Sequence, residues 1–205
     1  MLINAEEVGE STRFYMDVLG FRITEQLLDG NGHQLGTWLE RSHSPHDLAV
    51  VHGPNGGLHH FAYWLDDWDD VRDAADVLAY NGIQLDVGPT RHGITRGSTI
   101  YFFDPLGTRN EVFTGGYRPD PDFPTLTWTE DNIGRAIFSY AGALNDRFLV
   151  QPTAAGSTAV TPGRERSTAA SSSTAAAAVP PWRLPRSTRS RRKAAWRTTT
   201  PSRWR

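Results

Sequence analysis

Through the first 115 residues, apolar and polar positions follow a helical period and then a strand period, and the same succession occurs twice. At 10–19, Phe14, Met16, Val18 and Leu19 form a rough helical stripe, with Ser11 and Thr12 as caps and Gly20 as the stop. Three strand-like runs follow at 21–28, 33–40 and 47–52, separated by DGNG and RSHSPH, both of which are turn chemistry. The succession then restarts. Residues 58–65, LHHFAYWL, predict a strand. Residues 67–80 predict an amphipathic helix with Trp68, Val71, Ala75 and Leu78 on one face, ended by Asn81-Gly82. Strands are expected at 83–87, 98–103 and 109–113, with Asp104-Pro105-Leu106-Gly107 turning between the last two. Each unit is a strand, a helix and three strands, so the pattern predicts an α+β fold of paired βαβββ modules. The second unit is complete. The first has no opening strand unless residues 1–4 are its end, which predicts truncation there.

Residues 1–115 are therefore expected to form the paired-module domain, with the complete second module from 53 onward. A Pro-rich stretch and a helix-like segment at 130–140 follow, and 116–150 is expected to pack on the domain as an extension. Composition changes the picture only beyond that point. Residues 1–150 hold ten Arg, no Lys and 22 Asp or Glu, a balance of −12. Residues 151–205 hold ten Arg, Lys193 and Glu165, a balance of +10, in a background of Ala, Ser, Thr and Pro. Such a composition buries too little apolar surface to offset chain entropy, so disorder is predicted from roughly 151 to 205. There is no cysteine, which excludes a disulfide scaffold and a thiolate metal site. The first ten residues show no signal-peptide pattern, and no apolar run approaches the ~20 residues of a membrane span. The expectation is a soluble, cytoplasmic protein without membrane or nucleic-acid partners. Trp182, Trp196 and Trp204 among the tail's arginines would be the stacking residues of a nucleic-acid binder, the weaker reading.

All seven histidines precede residue 93, and five lie between His43 and His60. In LHHF, strand alternation places His59 and His60 on opposite faces, so only one can enter a cleft. His92 lies in the Gly- and Pro-bounded GPTRHG. The hairpin TIYFFDPLGTRNEVF carries Tyr101 on one strand and Glu111 on the next. An inward Glu111 needs a partner, either a metal ion or one of Arg109 and Arg91. A His and carboxylate set without sulfur suits iron(II), manganese or zinc, and two His with one carboxylate and open positions suits non-heme iron(II) oxygen chemistry. The residues alone supply His60 and Glu111 and leave the second His undetermined. His33, His43, His52 and His59 are taken as structural or surface, and Trp64 and Trp68 as core.

The run GPTRHGITRGSTIYFFDPLGTRNEVFTGG closely resembles the C-terminal signature of the catechol 2,3-dioxygenases, type I extradiol dioxygenases of the vicinal oxygen chelate superfamily. VLGF at 18–21, HDLAVVH at 46–52, LHHFAYWL at 58–65, WTEDNIGRAIF at 128–138 and LNDRF at 144–148 extend the resemblance from about residue 2 to about residue 149. It implies a cupped mixed sheet around a metal site, and Fe(II)-dependent meta-cleavage of catechol or a substituted catechol by O2 to a 2-hydroxymuconic semialdehyde, with Mn(II) as the other metal. Residue by residue, it implies metal ligation by His60 and Glu111, acid–base work by His46, and substrate contacts from His92 and Tyr101. The family's first iron-binding His would align immediately before Met1, so this chain offers two protein ligands. The alternatives are an inactive truncated remnant, or a glyoxalase-like or binding member of the superfamily. The set His46, His92 and Tyr101 beside the metal Glu favours the dioxygenase. Relatives commonly assemble, which leaves a homo-oligomer open.

Overall fold

The computed structural model describes residues 1–145 and 147–148. The predicted disorder at 151–205 lies outside them. The first module comprises β1 (Leu2–Ala5), α1 (Val8–Leu19), β2 (Arg22–Leu28), β3 (Gln34–Glu40) and β4 (Leu48–His52). The second comprises β5 (Leu58–Trp64), α2 (Trp68–Tyr80), β6 (Leu85–Arg91), β7 (Gly97–Phe103) and β8 (Arg109–Gly115). In each, the opening strand runs parallel to the fourth, the fourth pairs antiparallel with the third, and the third with the second. The returning segment adds a ninth strand, β9 (Leu126–Thr129). The two half-sheets join where β1 meets β5 antiparallel, which gives the strand order β6-β7-β8-β5-β1-β4-β3-β2-β9. The opening strand is thus present as four residues, and it pairs on both sides.

Helix α1 begins two residues earlier than the sequence pattern predicts, with Glu7 as N-cap and no side-chain cap bond, so Ser11 and Thr12 lie inside it. Its buried face is Val8 and Thr12, with Tyr15 packed beside them, a spacing of four and three. The expected stripe is on the outside: Phe14, Met16, Val18 and Leu19 are exposed. Thr12 can face inward because its hydroxyl meets that of Thr37 at 2.7 Å. Gly20 stops the helix in the left-handed conformation (φ 69°). Helix α2 follows the prediction more closely. Asp67 and Asp70 form a reciprocal capping box, and Val71 and Leu78 press on Ile100 of the sheet. Trp68 at its start and Trp64 before it are exposed rather than core, and both line a surface groove with Phe113 and Tyr117. Exposure of these rings follows from their positions at the end of β5 and the first turn of α2, beyond the helix–sheet contact.

The chain then returns across the first module. Strand β9 runs parallel to β2, where the sequence pattern shows only a Pro-rich stretch. The expected helix at 130–140 is a 3-10 turn followed by α3 (Ile133–Ile137). Ile133, Ala136 and Ile137 pack with Trp128 on Leu27, Trp38, Ala49 and Ile94. No helix among the described residues is long and apolar enough to cross a membrane.

Candidate metal centre and active site

Both half-sheets and the returning segment contribute to one small cavity. His46 comes from the loop between β3 and β4, His60 from β5, His92 from the end of β6, Tyr101 from β7 and Glu111 from β8. Leu2, Trp38, Ile94, Phe113, Ile137 and Phe148 are among the residues that complete its wall. All five residues singled out in the sequence therefore face one space. The cavity measures about 40 Å³, against ~150 Å³ for one that takes a benzene ring.

Glu111 is the centre of the polar array and is 5% exposed. Its Oε1 accepts from Thr99 Oγ1 at 2.6 Å, its Oε2 lies 3.2 Å from His60 Nε2, and Oε1 lies 3.4 Å from His92 Nε2. Neither arginine considered for it is its partner. Arg109 Nε binds Asp86 Oδ2 at 3.0 Å, and Arg91 Nε donates to Arg96 O at 3.2 Å. Arg109 is drawn away from Glu111 by Asp86, which Arg147 also binds, so the three close an ion-pair chain of their own.

His59 and His60 depart from simple alternation. Leu2 pairs with His60 while Ile3 pairs with Leu58, so His59 is an extra residue on β5, a β-bulge. The bulge turns both rings inward. They are 4% and 3% exposed, with their Nδ1 atoms 2.7 Å apart. His59 Nε2 lies 2.7 Å from Phe148 O. A carbonyl only accepts, so the proton of His59 is on Nε2 and its Nδ1 is a lone pair. Arg109 Nη1 also approaches Nε2, at 3.1 Å, but the shorter carbonyl contact decides the tautomer. His60 must then donate from Nδ1, which leaves its Nε2 lone pair aimed at the Glu111 carboxylate. Burial pushes both imidazoles down, His59 to about 3, so neither is cationic at neutral pH. Two acceptors that face each other across 3.2 Å in a buried site call for a cation between them.

His92 is fixed in the same way. Its Nδ1 lies 2.5 Å from Ile137 O and so carries the proton, while Nε2 accepts from Tyr101 Oη at 2.9 Å. The ring stacks on Phe138. Burial, with the Glu111 charge behind it, pushes the Tyr101 phenol well up, so it acts as a hydrogen-bond donor. Burial pushes His46 down to about 3, which leaves it a neutral base. Among the described residues, no group of three or more His, Cys, Asp or Glu side chains forms a ready metal cage. His60 and Glu111 fit a metal as a pair. Sequence reasoning missed His59, because alternation alone sends it to the other face.

Residues 1–112 match the family model of the glyoxalase/bleomycin resistance protein/dioxygenase superfamily. Over 149 residues the chain is 42% identical to a metapyrocatechase of Pseudomonas sp. (strain CF600), covering 72% of this chain and 48% of that protein. It is 36% identical over 138 residues to a manganese-dependent 2,3-dihydroxybiphenyl 1,2-dioxygenase of Geobacillus genomosp. 3, covering 64% and 44%. Among solved structures, the 2,3-dioxygenase LapB from Pseudomonas sp. KL28 superposes with a TM-score of 0.62 at 44% identity, covering 64% of this chain and 46% of that one. The chain spans about half the length of the curated relatives it matches.

Proposed function

Because the chain belongs to the glyoxalase/bleomycin resistance protein/dioxygenase superfamily, we propose that its cavity is an extradiol dioxygenase site. The reaction is meta-cleavage of catechol or a substituted catechol with O2 to a 2-hydroxymuconic semialdehyde. The observation that carries the reading is His60 Nε2 facing the Glu111 carboxylate across 3.2 Å, with His46, His92 and Tyr101 around the same space. His60 and Glu111 would hold the metal, Fe(II) with Mn(II) as the other choice. Bound there, the metal would act as a Lewis acid that makes a bound phenol more acidic. The remaining work belongs to the side chains. His46, which lines the cavity, would take the proton released by the diol and return it. Tyr101 Oη, whose proton His92 Nε2 accepts in the resting site, would turn that proton toward developing negative charge. Ile94, Ile137 and Phe148 exclude water from this space. A ligand pair binds metal more weakly than a three-ligand face, so the chain loads at higher Fe(II) concentration than a relative with three.

The test is anaerobic loading of the full chain with Fe(II), then addition of catechol and air. Yellow ring-fission product above the rate of free iron supports the dioxygenase. An absence of product while Fe(II) or Mn(II) demonstrably occupies the site favours the non-enzymatic remnant, the reading that two protein ligands would support.

A further inference from the structure

Among the described residues, Glu25 is a buried carboxylate that the proposed chemistry does not use and, unlike Glu40 beside Arg22 or Asp86 beside Arg109, its hydrogen-bond donors include no cation. Glu25, on β2, is 1% exposed. Its Oε1 accepts from the Thr95 backbone N–H at 2.5 Å and from Tyr117 Oη at 2.8 Å, and its Oε2 accepts from Trp128 Nε1 at 2.6 Å. The donors are an amide, a phenol and an indole, all neutral, and they come from three separate segments. A carboxylate placed at such cost in desolvation is held by its hydrogen bonds, so its geometry is specified rather than incidental.

What those bonds hold is the loop 92–97 that carries His92. Thr95 and Arg96 both sit at positive φ, 61° and 60°, and Arg96 N closes a tight turn onto Ile94 O at 2.7 Å. A β-branched residue in that region is strained and stays there only if its surroundings fix it. The Thr95 amide on Glu25 is one such fixture. Gly93 and Ile94 both donate to Ala136 O, and His92 Nδ1 donates to Ile137 O, which ties the loop to α3. Trp128, bonded to the other Glu25 oxygen, packs in the cluster with Ile94 and Ala136. One carboxylate thus clamps the loop and the segment that supplies the His92 acceptor to the same point of β2.

We propose that Glu25 is a positioning residue for His92: bridging Thr95 N–H and Trp128 Nε1–H, it holds the 92–97 loop against α3 and so keeps the imidazole directed at Tyr101 and Glu111. The proposal rests on the reading of His92 as a substrate-pocket residue. It requires a carboxylate specifically. A glutamine in its place would set an NH2 group against a donor, with three donors competing for one oxygen.

The experiment reads the His92 ring directly, in the full metal-free chain, by long-range ¹H–¹⁵N correlation and by exchange of the Nδ1 proton. In the parent protein His92 shows a single tautomer with a slowly exchanging Nδ1–H. Glu25→Gln is expected to speed that exchange about tenfold or more and to mix the tautomers, as the loss of a buried, charge-assisted contact does. Glu25→Gln with Trp128→Phe, which removes one leg of the bridge outright, exchanges at least as fast as Glu25→Gln alone. With Fe(II) loaded, Glu25→Gln lowers kcat about 10- to 100-fold with KM within about threefold, as misplacement of a proton-handling group does. An unchanged His92 signal in a folded Glu25→Gln protein, whatever its melting temperature, overturns the proposal and leaves Glu25 a structural residue. If Glu25→Gln does not fold, Glu25→Asp decides, since it keeps the charge but is too short to bridge both donors: faster Nδ1 exchange supports the proposal, and unchanged exchange overturns it. Should the parent protein show no turnover, the dioxygenase reading fails and the His92 measurement still settles the role of Glu25.

Discussion

The direction of a single proton decides what His60 can do. With His59 Nε2–H committed to Phe148 O, the pair of Nδ1 atoms leaves a lone pair on His60 Nε2, the form a metal ligand needs. Replacement of His59 by Phe keeps the ring volume and removes the acceptor for His60 Nδ1–H. Metal affinity should then fall roughly 10- to 100-fold, the usual effect of losing such an outer partner, and titration calorimetry with Mn(II) measures it. An unchanged affinity would mean that His59 merely fills space. Residue roles are legible here to very different degrees. His60, Glu111, His46, His92 and Tyr101 stand within quotable motifs, and they line one cavity. Alternation sends His59 to the wrong face because a one-residue bulge cancels it, and nothing in LHHF announces the bulge. Glu25 carries no pattern at all: between Thr24 and Gln26 it looks like an exposed strand carboxylate, and only donors 70 to 103 positions away explain its burial.

At the level of elements, strands and helices whose period matches their environment are readable, and those set by contact with distant segments are not. Helix α2 owes its start to a local capping box, so the sequence shows it. The buried face of α1 includes a threonine paired with another threonine, which a count of apolar positions passes over. Strand β9 exists because it pairs with β2, and so short a run holds too few alternations to be recognised alone. The junction of the 92–97 loop with α3 is a tight contact between elements near the site. A Cβ on Gly93 would lie 2.3 Å from Arg135 O. Gly93→Ala should therefore push the loop off α3, costing about 1–3 kcal/mol in denaturant unfolding and broadening the His92 ring signals. Full stability in that variant would show that the loop has room to move.

For the molecule as a whole, buried neutral imidazoles make folding sensitive to acid. His59 and His46 have pKa values pushed to about 3 by burial, whereas an unfolded chain titrates near ~6.5. Below ~6.5 the unfolded state binds protons that the folded state does not, so stability is complete above that pH and declines as pH falls toward ~3. The covered His59 alone should cost roughly 2 kcal/mol by about pH 5. Urea midpoints measured from about pH 8 to about pH 4 should fall steadily, and His59→Phe should flatten the curve. A flat parent profile would mean these rings protonate freely in the native state. The join between the half-sheets has a further consequence. Strand β1 is synthesised before either of its neighbours, yet it is the strip on which β4 and β5 are both hung. Its residues therefore wait longest for full pairing, since the edge that β4 leaves open closes only when β5 has emerged. So short a strip turns two look-alike modules into a single all-or-none object, with His46 suspended from one half and His60 and Glu111 from the other.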